Sequence, residues 1–272
     1  MTDFTFNEPG ADDVSAAFLE NGYLLQPVDN TEALEAIRNR TAELAADAIG
    51  VDTPNDTGAF LNGFHEMVEV DDLNRVRLAV IEGLNAEPWL RAAYFTLARN
   101  AIFSVVGNEL AMQRLVNLSI QLPDDQSSIL PVHADVWSGD SPYEIVLWVP
   151  LVDCYKTKSM YLMPPKRDRD VQGNMGHDFK GSSEEDLFEA IKDDVEWMNV
   201  PYGHALVFSQ TLMHGNRANQ EPETRWSMNC RFKSLFSPYA DKRLGEFFEP
   251  ITMRAATEMA IAYDLPKGFD DE

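Results

Sequence analysis

The sequence predicts an α+β domain that is mainly β, with a layer of helices ahead of an antiparallel sandwich or barrel. Three observations carry this. The first hundred or so residues keep apolar side chains at helical spacing, and from Met112 the chain changes to short apolar runs broken by turn residues. No repeat, low-complexity stretch or shift in composition marks a linker, and 272 residues with 44% apolar side chains can build one sizeable core.

In chain order, Val14 to Asn21 reads as a helix stopped by Gly22, and "YLLQPV" as a short strand. Thr31 is the expected cap of the next helix, in which Leu34, Ile37, Leu44 and Ala48 keep the helical period. The period returns at Leu73, Val76, Val80, Ile81 and Leu84. Beyond Pro88 one stripe runs from Leu90 through Tyr94, Leu97, Ala101 and Ile102 to Val105, with Gly107 as its stop. The expected strands are "RLVNLSIQLP", "ILPVHADVW", "YEIVLWVPLVD", "SMYLMPP", "VEWMNVP", "HALVFSQTLMHG" and "RWSMNCRFKSLF". Between the fourth and fifth lies an insertion at 166–194. It reads as a polar loop from Lys166 to Lys180, then a helix opened by a Ser182/Glu185 capping box. Leu244 to about Tyr263 reads as helical again. The single domain thus divides into a helical layer at 1–111, a β core at 112–237 and a C-terminal helical segment at 238–272.

The 22 basic and 45 acidic side chains give a net charge of −23, a field that repels nucleic acid and anionic membrane. Cys154 and Cys230 sit in apolar, strand-like context, which predicts buried thiols rather than a disulfide. No basic-then-apolar leader opens the chain, and no apolar run approaches the roughly 20 residues that span a bilayer. The expectation is a cytoplasmic protein that acts on a small molecule.

The chemistry concentrates in "LPVHADVWSGD", residues 130–140. On a strand, His133 and Asp135 would point to one face. Alone, such a pair is more often a surface pair or a helix cap, and a metal site needs a third ligand from elsewhere. His65 falls in the helical part, His177 in the insertion, and His204 begins the strand-like run that His214 ends. His214 is favoured, because "ALVFSQTLM" delivers it to a strand end beside Gly215. Eleven residues on comes Arg225-Trp226-Ser227. Arg225 and Ser227 share a strand face, and a guanidinium fork beside a hydroxyl suits a carboxylate. Two histidines and a carboxylate on one side of an octahedral ion leave positions open, as in non-heme iron(II) oxygenases. The competing reading of Arg225 is a surface pair with Glu221 or Glu223.

The order His133-x-Asp135, His214, Arg225-x-Ser227 resembles the iron(II)/2-oxoglutarate-dependent oxygenases, and within them the phytanoyl-CoA hydroxylase-like superfamily. "FLENGYLLQPVDNTEALEAIRNR" is similar to the opening of that branch, and "YGHALVFSQTLMHGN" to the strand that ends in its distal histidine. The chain also resembles bacterial oxygenases found among carbohydrate-biosynthesis genes. Pro164-Pro165-Lys166-Arg167 stands where the family carries Pro-Gly-Ser-His, so that turn's contacts do not carry over. The resemblance implies a double-stranded β-helix (jelly roll, cupin-like) barrel with Fe(II), 2-oxoglutarate and O2 as cofactors. It implies iron on His133, Asp135 and His214, and the remote carboxylate of 2-oxoglutarate on Arg225 and Ser227. The implied reaction hydroxylates an unactivated C–H bond and releases succinate and CO2. Asp135 argues against halogenation, since related halogenases lack this carboxylate.

Strand parity adds neighbours. Asn117, Ser119 and Gln121 share a face, so Gln121 or Asn117 is placed to orient a ligand or 2-oxoglutarate. Trp137, Asn229 and Arg231 fall on the faces of the proposed ligands and of Arg225, and Trp148, Tyr161 and Tyr143 offer apolar walls. Arg231 suits an anionic or heavily hydroxylated substrate such as a sugar acid or phosphorylated sugar. Two other classes fit parts of the pattern. A cupin-like metal-dependent sugar isomerase or epimerase needs the triad but not the Arg-x-Ser pair, and a non-catalytic carbohydrate-binding jelly roll needs neither.

Overall fold

The computed structural model describes residues 11–264. Helix α1 (Ala11–Asn21) stops at Gly22, whose φ of +72° belongs to the left-handed region that favours glycine, and β1 (Tyr23–Pro27) follows. Asn30, not Thr31, caps α2 (Thr31–Ile49): its side-chain oxygen accepts from the Ala33 N–H at 3.0 Å, and Thr31 is the first helical residue. After α3 (Thr57–Asn62) comes α4 (Val70–Asn85), with Leu73, Val76, Val80 and Leu84 buried as the period predicts. The stripe beyond Pro88 is two helices, α5 (Leu90–Thr96) and α6 (Arg99–Val106). Ala98, at φ −145° and ψ 31°, leaves helical conformation between them.

The strands form two antiparallel sheets. In the larger, β2 (Leu110–Gln113), β3 (Asn117–Gln121) and β4 (Glu144–Pro150) are arranged about the ten-residue β9 (Arg225–Ser234). The order is β1-β7-β4-β9-β2-β10, with β7 at His204–Ser209 and β10 at Phe248–Thr252. Strands β2 and β3 take successive halves of one edge of β9. The smaller sheet joins β6 (Glu196–Trp197), β5 (Tyr161–Leu162) and β8 (His214–Gly215).

Period-two alternation in β9 divides the molecule. Trp226, Met228, Cys230 and Phe232 lie in the core that the N-terminal helices close. There the indole N–H of Trp226 donates to Leu61 O at 2.9 Å, and Phe64 stacks edge-on against its ring. Burying an aromatic of this size contributes roughly 2–3 kcal/mol, which seats the strand firmly on the helices. Arg225, Ser227, Asn229 and Arg231 face the opposite side and line a cavity. Both cysteines are free and buried, as expected, and burial pushes both thiols up to about 12.

Four expectations are corrected. "ILPVHADVW" forms no strand: Asp135–Ser138 is a 3-10 turn, and His133 pairs with His214 by mutual backbone bonds of 2.9 and 2.8 Å. Lys166 to Lys180 is not a loop, because Pro165 opens α7 (Pro165–Asp178) from the first helical position, where its fixed φ and missing N–H are harmless. Its polar sequence buries only Asp168 and Val171, which hides a helical period. The capping box of α8 (Glu184–Ile191) is Ser183/Asp186, one residue beyond the Ser182/Glu185 expectation. The C-terminal stretch is not one helix, since β10 precedes α9 (Ala255–Ile261). Pro250 cannot extend a helix and is tolerated on β10 because that strand is a sheet edge. Among the described residues, no helix is long and apolar enough to cross a membrane.

Candidate metal centre and cosubstrate pocket

One ligand atom each from His133, Asp135 and His214 converge, all within 4.8 Å of one another. Nε2 of His133 lies 3.5 Å from Asp135 Oδ1, and Nε2 of His214 lies 4.0 Å from the same oxygen. The backbone pairing of His133 with His214 sets the two rings at a centroid separation of 4.2 Å. Each ring places Nδ1 2.8 Å from a main-chain carbonyl, Pro131 O for His133 and Leu212 O for His214. A carbonyl only accepts, so in the neutral rings Nδ1–H donates and each Nε2 lone pair faces the convergence point.

Burial, helped by the neighbouring His133, lowers His214 to about 4, so it is neutral at pH 7 and able to ligate. Burial also works to raise Asp135. The Arg231 guanidinium, 3.0 Å from Oδ1, works against it, and the carboxyl is held well below the usual carboxylate range. Gly215 is required beside His214: a Cβ there would lie 2.6 Å from Tyr161 Oη and 2.8 Å from Leu130 O. Two imidazole Nε2 atoms and an ionised carboxylate aimed at one point are a donor set that fits a divalent transition metal.

The cavity that opens from the triad measures about 610 Å³. Arg225 lines it and is only 3% exposed. Its Nη1 donates to Ser159 O at 3.1 Å and its Nη2 to Ser119 Oγ at 2.9 Å. Among the described residues no carboxylate pairs with it. Glu221 and Glu223 are engaged by Lys156 and Lys158, which removes the surface-pair reading. Burial pushes the guanidinium down to about 10, and among the described residues Nε has no hydrogen-bond partner, nor does the hydroxyl of Ser227 on the same strand face. A buried cation with spare donors beside a spare hydroxyl is a receptor for an anion.

The remaining sequence-derived candidates divide. Asn117 and Asn229 line the cavity, joined by a 3.1 Å side-chain bond, and Trp148 forms part of its wall. Arg231 is there too, pinned between Asp135 at 3.0 Å and Asp140 at 3.3 Å, with Nε donating to Gln210 Oε1. Gln121 is not among the lining residues: at the end of β3 its Nε2 donates to Arg217 O at 2.7 Å. Tyr161 is likewise displaced. Buried between Phe188 and Trp197, it packs the smaller sheet where Gly215 leaves room. Trp137 lies in the 3-10 turn, is 42% exposed and bonds Gln172, because strand parity does not apply to a turn. Tyr143 is exposed. Sequence reasoning missed Asp140, Lys242 and Arg77, which also line the cavity. Asp140 and Lys242 pair across about a hundred residues of chain, and no local signal marks such a contact.

No protein-family model matches the chain, and no curated protein matches it by sequence. Solved structures do match. A non-heme monooxygenase, ThoJ, in a nickel complex shares 16% identity at a TM-score of 0.55, over 89% of this chain and 84% of its own. The chain shares its fold. EctD from S. alaskensis, solved with 2-oxoglutarate and 5-hydroxyectoine, is 16% identical at a TM-score of 0.51, over 88% and 81% of the two chains. Apo HygX from Streptomyces hygroscopicus is 14% identical at 0.50, over 84% and 87%. In this shared fold of antiparallel sheet and helices, the His133, Asp135 and His214 cluster lines the same cavity as Arg225.

Proposed function

We propose that the protein is an iron(II)/2-oxoglutarate-dependent oxygenase, one domain across residues 1–272 whose sheets belong to a double-stranded β-helix. The observation that carries this reading is Arg225. Among the described residues this buried guanidinium has no carboxylate partner and keeps a spare N–H, so it is fitted to receive an anion, and it lines the same cavity as the metal-type triad.

His133, Asp135 and His214 would hold iron(II), and Arg225 with Ser227 would receive the far carboxylate of 2-oxoglutarate. When bound, these groups supply the oxidising power for C–H hydroxylation by O2, with 2-oxoglutarate converted to succinate and CO2. The chain's own residues do the positioning. Carbonyls of Pro131 and Leu212 hold both imidazoles in the ligating tautomer, and Ser119 with the Ser159 carbonyl fixes the arginine fork. Val146, Trp148 and Phe208 wall the cavity and limit water around the reacting centre. Asn117, Asn229 and Arg231 supply polar contacts that suit a small hydroxylated or anionic substrate, sugar derivatives included.

A cupin-like isomerase would share the metal, but nothing in that reaction needs Arg225 and Ser227. The test is anaerobic: iron(II) and 2-oxoglutarate together should give a visible charge-transfer band, absent in His133→Ala. Succinate should then form in air. If no band forms and no 2-oxoglutarate binds, the oxygenase reading is wrong.

A further inference from the structure

Trp137 and helix α7 play no part in the chemistry above, yet hydrogen bonds join the turn that carries Asp135 to the segment that leads into His214. Asp168, buried on α7, accepts at 2.8 Å from the N–H of Met213, the residue before His214. Gln172, one helical turn further on, donates through Nε2 to Asp168 Oδ2 at 2.7 Å and to Thr211 O at 2.8 Å. Its Oε1 accepts from the indole N–H of Trp137 at 3.1 Å, and Trp137 shares the 3-10 turn of Asp135. One amide is thus satisfied three ways. Its orientation follows from the partners: flipped, the oxygen would face a carboxylate and a carbonyl while the NH2 faced an indole N–H.

The tie matters because the ligands are held unequally. His133 and His214 are locked together by backbone bonds. Asp135 opens a turn that lies outside both sheets, and that turn is tied to Thr211, three residues before His214, through Trp137 and Gln172.

We propose that Gln172 and Asp168, with Trp137 as the link, are positioning residues for the metal centre: the 166–194 insertion is a brace that sets Asp135 against His214. None of the three touches the metal position. They act by holding the ligand atoms near their final separations before the ion arrives, so less ordering is left for binding to supply.

The inference rests on the metal reading above, and the experiment separates the two. Manganese(II) or nickel(II) is titrated calorimetrically into the metal-stripped full chain, and metal-free melting temperatures are recorded alongside. Gln172→Leu, isosteric Gln172→Glu and Trp137→Phe should weaken metal binding about tenfold or more, within the ten- to hundredfold range for groups that support metal ligands. Asn174→Ala, an exposed change on the same helix, should leave it unchanged. Trp137→Phe added to Gln172→Leu should bring no further loss, because both cut one path. Trp137 is half exposed, so its variant keeps the test decisive if Gln172 variants fail to fold. Metal affinity within about threefold of the parent in Trp137→Phe, or a lowered melting temperature with unchanged affinity, overturns the brace. A parent that binds neither ion overturns the metal reading and the brace with it.

Discussion

Replacing Arg225 by methionine should affect ligand binding and stability very differently. Burial lowers the guanidinium from 12.5 to about 10, equivalent to about 3 kcal/mol of lost solvation. Its bonds to Ser159 O and Ser119 Oγ, at the lower end of roughly 1.5–3 kcal/mol each for a charged donor, offset about as much. Arg225→Met, of similar volume, is therefore close to neutral for the ligand-free protein, and its melting temperature should stay within about 5 °C of the parent. Binding of 2-oxoglutarate loses a charge-assisted pair in a dry site, roughly 3 kcal/mol or about a hundredfold in Kd. The assay is a thermal shift of the nickel-loaded protein with and without 2-oxoglutarate, backed by calorimetry. The parent should melt higher with the ligand and the variant should not. A variant that binds 2-oxoglutarate within threefold of the parent, or a parent that 2-oxoglutarate does not stabilise, refutes the assignment of Arg225.

Other outcomes follow from the same geometry. His214 is lowered from 6.5 to about 4, so between those values the unfolded chain binds the extra proton and stability falls as pH drops. The metal-free protein should lose up to about 3 kcal/mol of unfolding free energy from pH 7 to pH 4 through this group, and denaturant titrations of His214→Gln should lack that component. Gly215→Ala forces a methyl against Tyr161 Oη and the Leu130 carbonyl, and should cost about 1–3 kcal/mol in chemical denaturation. Tyr161→Phe should recover only part, because the backbone clash remains. Trp226→Ala empties the seat of β9 on the helices and abandons the bond to Leu61 O, and should cost about 3–5 kcal/mol by the same measurement.

Much of the fold was legible because it is written in periods. Leu73 to Leu84 repeat at helical spacing and are buried as one face, and the alternation of β9 sends Trp226 inward while Arg225 and Ser227 share the cavity. Short-range chemistry misled where two solutions compete locally. Asn30 and Thr31 are both good caps, and a polar segment opened by Pro165 reads as loop until something buries Asp168 and Val171.

The identities of His133, Asp135, His214, Arg225 and Ser227 as a possible site were determined by the sequence itself, since order, spacing and residue type are all properties of the chain. That they meet was decided by the tertiary structure. His133 and His214 are paired across eighty residues by two backbone bonds, and Asp135 reaches them from a 3-10 turn, not the strand its neighbours suggested. Trp137 shows the difference most clearly. Its parity with Asp135 placed it in the pocket, whereas the turn rotates its ring out to Gln172. A period predicts which way a side chain points only within a regular element, and the site is assembled where regular elements end.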